Sequence, residues 1–265
     1  MQNRSFRCYG AGALLLMGWN LAVMCQPLTP QDFESTATSY SVSKAPLPVE
    51  QVVKRLQERN AERAAALDQY EVTRVYHMQY HGFPSDRSAE MVINMAYRAP
   101  NSKQFSVVSQ TGSKFIIEHV FKKLLDGELE AANEDNRRQS ALTTENYDFT
   151  LAGYESTPEG GGQYILNLTP KTRNKFLYRG KVWVDSKDFA VKRIKGEPAK
   201  NPSLWIKSTD VEHRYMKVGD FWVPAENRTQ SVIRLGGVAY LSIEYKNYKI
   251  IEAKSLPNSE TGRKH

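Results

Sequence analysis

"YEVTRVYHMQY", residues 70–80, alternates residue by residue. Tyr70, Val72, Tyr76, Met78 and Tyr80 fall on one side, and His77, Gln79 and His81 fall on the other. Successive side chains of a strand point to opposite faces, so the stretch reads as a half-buried β-strand with one apolar face. Arg74 falls among the Tyr and Met residues. A buried unpaired charge is very costly. Arg74 must therefore pair with a carboxylate or snorkel to the rim, or else latch carbonyl groups of a covering helix or loop, or a ligand head group.

The same period recurs on both sides of this strand. In "AEMVINMAYRAP", Ala89, Met91, Ile93, Met95 and Tyr97 share a face opposite Glu90, Asn94 and Arg98, and "KQFSVVSQTG" follows as a third strand. "NYDFTLAGYE", "QYILNLTP", "NKFLYRGKVWVD", "DFAVKRIKGEP", "SLWIKSTDVEHRYM", "DFWVPAENRTQSVIRL" and "VAYLSIEYKNYKII" supply about seven more. "PEGGG" and "DSKD" read as hairpin turns. In the Trp-containing stretch Phe176, Tyr178, Gly180, Val182 and Val184 share a face, with Arg179, Lys181, Trp183 and Asp185 opposite. Gly180 leaves space for a sharp bend or a ligand.

Two segments have helical spacing instead. "PVEQVVKRLQERNAERAAALDQY" places Val49, Val52, Val53, Leu56 and Leu67 on one stripe behind Pro48, the other positions being charged or Ala. "FIIEHVFKKLLDGELEAANEDNRRQ" places Ile117, Val120, Phe121, Leu124 and Leu125 on another, with Gly127 as a candidate kink and Glu128 and Glu130 read as a solvated face. The order is helix, three strands, helix and about seven strands: a mainly β, α+β chain. A flat sheet of this size tends to curl or close. The expectation is a single strongly curved antiparallel sheet with two helices on its concave face. Pattern alone leaves open whether that face is a sealed core or an openable groove.

The chain has 265 residues, 40% of them hydrophobic, and a formal charge of +7. No Lys/Arg block interleaved with aromatics stands out, so no nucleic-acid partner is expected. Arg4 and Arg7 precede the uncharged run "YGAGALLLMGWNLAVMC", which has the form of a signal peptide over residues 1–25. Cleavage after Cys25 makes a soluble periplasmic or secreted protein. The alternative is an outer-membrane lipoprotein anchored at Cys25. Cys8 and Cys25 are the only cysteines, so the cleaved chain forms no disulfide. Residues 26–47, rich in Ser, Thr and Pro, read as a flexible linker, residues 48–256 as one domain and residues 257–265 as a disordered tail.

Nothing in the sequence names a reaction. There is no G-x-S-x-G elbow, no H-E-x-x-H and no phosphate-cradling glycine loop. Asp185 and Asp188 flank a hairpin, where Asp is favoured for backbone hydrogen bonds. His77 and His81 share a polar face, but no carboxylate or third His lies close in sequence, so no metal site is expected. A non-enzymatic protein without a cofactor is the expectation.

Short motifs carry a resemblance. "MAYRAPNSKQF" (95–105), "TGSKFI" (111–116), "LTPK" (168–171) and "GKVWVDSKDFAVKRI" (180–194) follow the order seen in the LolA/LolB/RseB-like superfamily of bacterial envelope proteins. "NKFLYRGKVWVD", "GEPAKNPS" and "RLGGVAYLSIEY" resemble secreted bacterial proteins known as outer-membrane lipoprotein-sorting proteins. "TGSKFI" resembles a hairpin and its following strand. The resemblance implies an unclosed β-barrel whose helices form a lid over an apolar cavity for acyl chains. It also implies a lid-latching Arg at Arg98, for which Arg74 is the stronger candidate on its face. The function expected is a monomeric carrier or binding protein for acyl chains of lipids or lipoproteins, serving lipoprotein sorting or lipid transfer. Envelope membrane proteins are possible partners. The alternative is an RseB-like signalling module that binds a protein. The groove candidates are Tyr70, Val72, Arg74, Tyr76, Met78, Met91, Ile93, Met95, Phe105, Phe176, Tyr178 and Val182 on the sheet. Val120, Phe121, Leu124 and Leu125 face them from the helix.

Overall fold

A computed structural model describes residues 41–156, 161–201, 203–234 and 236–256. The expected signal segment, most of the expected linker and the tail lie outside the described residues. The chain runs β1 (Ser41–Val42), α1 (Val49–Ala66), β2 (Leu67–His81), β3 (Arg87–Arg98) and β4 (Ser102–Gly112). A broken helical segment follows: α2 (Lys114–Ile116), a π-helical turn (Ile117–Phe121), α3 (Lys122–Ala131) and α4 (Glu134–Ser140). The last part is β5 (Tyr147–Ser156), β6 (Gly162–Pro170), β7 (Tyr178–Asp185), β8 (Val191–Pro198), β9 (Ile206–Val218), β10 (Phe221–Ile233) and β11 (Val238–Ala253).

All strands among the described residues join one antiparallel sheet in the order β1-β5-β6-β7-β8-β9-β10-β11-β2-β3-β4. Its two edges, β1 and β4, do not pair with each other, so the barrel is unclosed. A bulge at Val108, between the pairs Val92–Ser109 and Ile93–Val107, interrupts β4.

Topology explains why helices cover the concave face. The β1–β2 connection must reach across most of the sheet, and α1 lies in it. The β4–β5 connection runs from one edge to the strand beside the other, and the broken helix lies in that. Each helix turns its apolar stripe to the sheet. Val52, Val53 and Leu56 of α1 pack among Tyr164, Leu166, Leu177, Val182 and Val184 of the β5–β8 flank. Ile116 and Phe121 pack among Tyr76, Met91 and Ile93 of the β2–β4 flank. The convex face is polar: Glu212 takes both Arg193 (2.9 Å) and Arg214 (2.7 Å), and Arg228 reaches Glu226 at 2.6 Å.

Several expectations shift. The expected second helix is not one smooth rod. Its irregularities are the π turn and the break at Ala132–Asn133, where the Asn133 side chain accepts from Asp135 N–H at 3.0 Å. Gly127 lies inside α3 without a break. Gly112 closes β4 and Lys114–Ile116 is helical, so "TGSKFI" is a strand end and a helix start. Residues before Pro48 also join the fold: Ser41 and Val42 pair with Ser156 and Glu155, and Ala45 and Leu47 pack on the core. Leu204 and Trp205 lie in the turn before β9. Asp185 closes its hairpin as expected, its Oδ1 accepting from the N–H groups of Lys187 and Asp188.

Gly180 and Gly196 face each other across β7 and β8. A Cβ on Gly180 would lie 2.1 Å from the Lys195 carbonyl oxygen, and one on Gly196 would lie 2.0 Å from that of Arg179. Only glycine permits this backbone approach. Gly196→Ala should therefore cost about 3 kcal/mol, or roughly 6–12 °C in Tm. An unchanged thermal melt by circular dichroism would show that the strands are not held this close.

Candidate functional site

The structure gathers most of the groove candidates in one place. Tyr70, Val72, Arg74, Tyr76 and Met78 on β2, Met91, Ile93 and Met95 on β3, and Phe105 on β4 lie in two neighbouring apolar clusters or beside them. Val120, Phe121, Leu124 and Leu125 cover this flank from the broken helix. It is sealed, with Ile93 and Phe121 wholly buried. Val182 is buried beneath α1, among the other set of apolar residues.

Arg74 is 3% exposed. Its Nη1 donates to Glu128 Oε2 at 2.5 Å and to the Tyr76 hydroxyl at 3.4 Å. The guanidinium carbon lies 4.9 Å from the Tyr245 ring centre and 5.8 Å from that of Phe105. Lys103 Nζ stands 3.5 Å from the other Glu128 oxygen. Burial pulls the Arg74 pKa down, but the Glu128 carboxylate more than offsets this and holds it above its usual value. Burial pushes Glu128 up, and Arg74 and Lys103 bring it below the usual carboxylate range. Glu128 is thus no solvated residue. It ties α3 to β2, while Arg98 is exposed at the end of β3. Two residues along α3, Glu130 meets Lys175 of the β6–β7 turn at 2.7 Å.

The open space lies between the two sealed flanks. A cavity of about 1230 Å³ runs over the middle of the sheet. Its floor includes Leu168, Phe176, Tyr178, Ile194, Tyr215 and Phe221, and one wall is formed by Ala61, Ala64 and Ala65 of α1. The opposite wall is the end of α3, α4 and the segment to Thr143; Arg63, Arg137 and Arg138 also line the cavity, Arg63 donating to the Asp188 carbonyl and Arg137 to that of Pro100 at 2.9 Å. This exceeds the roughly 300–1,000 Å³ usual for a small-molecule site. Of the groove candidates, Phe176 and Tyr178 line it. The others that line it lay outside the sequence reading, although the alanines of α1 hinted at them. Where Val and Leu give way to Ala, the helix cannot fill the gap to the sheet.

Beneath the floor runs a polar chain. The His213 ring centre lies 5.1 Å from that of Tyr178, and its Nδ1 bonds Asn227 Oδ1 at 2.8 Å. Asn227 Nδ2 donates to the Tyr245 hydroxyl at 2.8 Å. Burial pushes Tyr70 and Tyr215 up to about 12 and raises Tyr178, Tyr245 and Tyr248 as well, so these phenols stay neutral. The same burial lowers the pKa of His213. His77 and His81 instead form separate exposed pairs, with Glu90 at 3.1 Å and Asp86 at 2.9 Å. Among the described residues no group of three or more His, Cys, Asp and Glu side chains is placed to hold a metal, and no helix is long and apolar enough to cross a membrane.

No protein-family model and no curated protein matches the chain. Solved structures do. One, a LolA superfamily protein from Nitrosomonas europaea, has 14% identity over 80% of this chain and 96% of that one, with a TM-score of 0.34. A DUF1329 family protein from Desulfovibrio piger has 16% identity over 78% and 95%, at 0.38. An outer membrane lipoprotein-sorting protein domain from Vibrio parahaemolyticus has 11% identity over 81% and 94%, at 0.38. At these TM-scores the fold rests on its own strand order and helix placement.

Two outcomes are expected at the buried charges. Arg74→Met should cost about 3–5 kcal/mol by leaving Glu128 without its main partner, and R74M/E128L should recover most of it. A urea-unfolding double-mutant cycle measures the coupling. For His213 the folded pKa lies below the unfolded value of about 6.5, so its stabilising contribution is complete above that pH. It is lost as pH falls from there through the folded value. Tm should drop between pH 7 and pH 5, and His213→Gln should flatten that slope. Glu128 acts in a lower window, below the usual Glu range.

Proposed function

We propose that the protein is a non-enzymatic binding protein or carrier for acyl chains of lipids or lipoproteins, acting in the bacterial envelope after export. The single observation carrying this reading is the cavity: large, floored by aromatic and aliphatic side chains, and lined also by arginines. An acyl chain suits the floor, and a carboxylate or phosphate suits Arg63, Arg137 and Arg138 in the lining. Each buried CH₂ contributes about 0.8 kcal/mol against an association cost of about 4 kcal/mol or more, so long chains are selected over short ones. Loading and release would need the α3–α4 wall to move, and Arg74 with Glu128 would be the latch that resists it.

The test is lipid recovery from the protein purified out of cells, by extraction and mass spectrometry, together with uptake of a fluorescent long-chain fatty acid. Bound lipid and uptake are expected in the wild type. Ala61→Trp and Ala65→Trp place bulk in the cavity from exposed helix positions. They should reduce uptake at least tenfold with little change in Tm. Wild-type protein that carries no lipid and takes up no fatty acid would sink the carrier reading.

A second reading, a module that binds a protein partner, has one observation in its favour. The outer edge of β4 has no strand partner among the described residues, and Val107 and Val108 stand exposed on it. A partner strand could add there. A stable complex in pull-downs that is lost on Val107→Pro would support it.

A further inference from the structure

Phe83 is 80% exposed, Leu204 91%, Trp205 63% and Phe115 54%. They come from three separate segments: the β2–β3 hairpin, the β8–β9 turn and the β4–α2 junction. Their contacts join them into one patch. The Tyr80 hydroxyl lies 2.7 Å from the carbonyl oxygen of Phe83 and 2.8 Å from that of Gly236, in the β10–β11 turn. Three residues before Gly236 along the chain's β10 end, Ile233 accepts from Gly236 N–H at 3.1 Å. Arg234 Nε donates to the Leu204 carbonyl and Arg234 N–H to that of Trp205, both at 2.8 Å. On the other side, the Arg87 guanidinium lies 5.5 Å from the Phe115 ring centre, and Ser113 N–H donates to the Ser88 carbonyl at 2.8 Å.

Hydrogen bonds to their backbone carbonyls, from the Tyr80 and Arg234 side chains and from backbone N–H groups, thus hold these loops in place while their largest apolar side chains are exposed. A protein partner favours a continuous apolar core with a polar rim. Here the apolar groups are separate tips set among cations: Arg87, Lys114, Lys207 and Arg234. The acids nearby are Asp86, already paired with His81, and Glu118. Aromatic rings beside Lys and Arg suit the boundary of a bilayer, where rings sit at the headgroup level and cations meet anionic lipid.

We propose that this end of the sheet docks on an anionic lipid bilayer, with Phe83, Leu204 and Trp205 entering the headgroup boundary. The proposal does not depend on what the cavity holds. The patch and the cavity edge at Ala99 and Pro100 lie at opposite ends of β3.

The experiment uses the protein as purified from cells and vesicles of phosphatidylcholine with or without phosphatidylglycerol, the acyl chains brominated to quench nearby Trp. With anionic vesicles, Trp fluorescence should be quenched, and Trp205→Phe should remove that quenching. Phe83→Ser/Leu204→Ser should weaken vesicle binding at least tenfold, with unchanged Tm and unchanged fatty-acid uptake. Because the Trp205 signal is local, attachment through another part of the chain does not imitate it. Quenching of equal strength on neutral vesicles overturns the anionic assignment. A Trp205 unaffected by either vesicle overturns the proposal, and self-association lost in the double variant would then assign the patch to a second copy of the chain.

Discussion

An eleven-stranded sheet whose edges do not meet leaves a wide apolar concave face, and that face cannot be left to water. Everything else follows from how the chain covers it. The order of strands sends the β1–β2 and β4–β5 connections across the open side, so each carries the cover in its own length. Neither helix is bulky enough along its whole length to finish the task. α1 packs tightly on one flank and the π turn with Phe121 packs tightly on the other. The middle of the sheet is left with a roof of alanines on one side and α4 on the other.

The charges obey the same constraint. On the convex side, Glu212 is buried between Arg193 of the neighbouring strand and Arg214 of its own, and Glu226 meets Arg228 along one strand. On the concave side only a satisfied charge is tolerated. Arg74 keeps its place because a carboxylate, two aromatic rings and a tyrosine hydroxyl surround it.

Much of this was legible from period alone. The faces of β2, β3 and β7 match the alternation of Tyr70–Tyr80, Ala89–Tyr97 and Phe176–Asp185. The three-then-seven grouping of long strands is also as read. Glu128 was misread, although the signal existed. It stands seven residues after Phe121 and three after Leu125, so it continues the apolar stripe instead of leaving it. Arg74 was a misfit on an apolar strand face and Glu128 a misfit on an apolar helix face. Opposite misfits are natural partners, because each is too costly to bury alone. The cavity was harder to place. Strong apolar alternation marks where side chains are large enough to fill space, as Tyr76, Met91 and Phe121 do. Empty space is marked by small residues, and Ala61, Ala64 and Ala65, although at helical spacing, carry too little apolar bulk to stand out. β1 was missed because two residues are too few to show a period.

Helix α3 has one property that neither ion pair has alone. Glu128 reaches toward β2 and Glu130 toward the turn before β7, so one helical turn is fastened to two parts of the sheet with four strands between them. It works as a crossbar on an open hoop. The largely buried Arg74–Glu128 fastening carries most of that load, because Glu130 and Lys175 meet in water, where an ion pair contributes little. Of the two, the fastening on β2 is the one whose release would free α3 from the sheet, so the width of the space inside is tied to the chemistry of a single part-buried carboxylate.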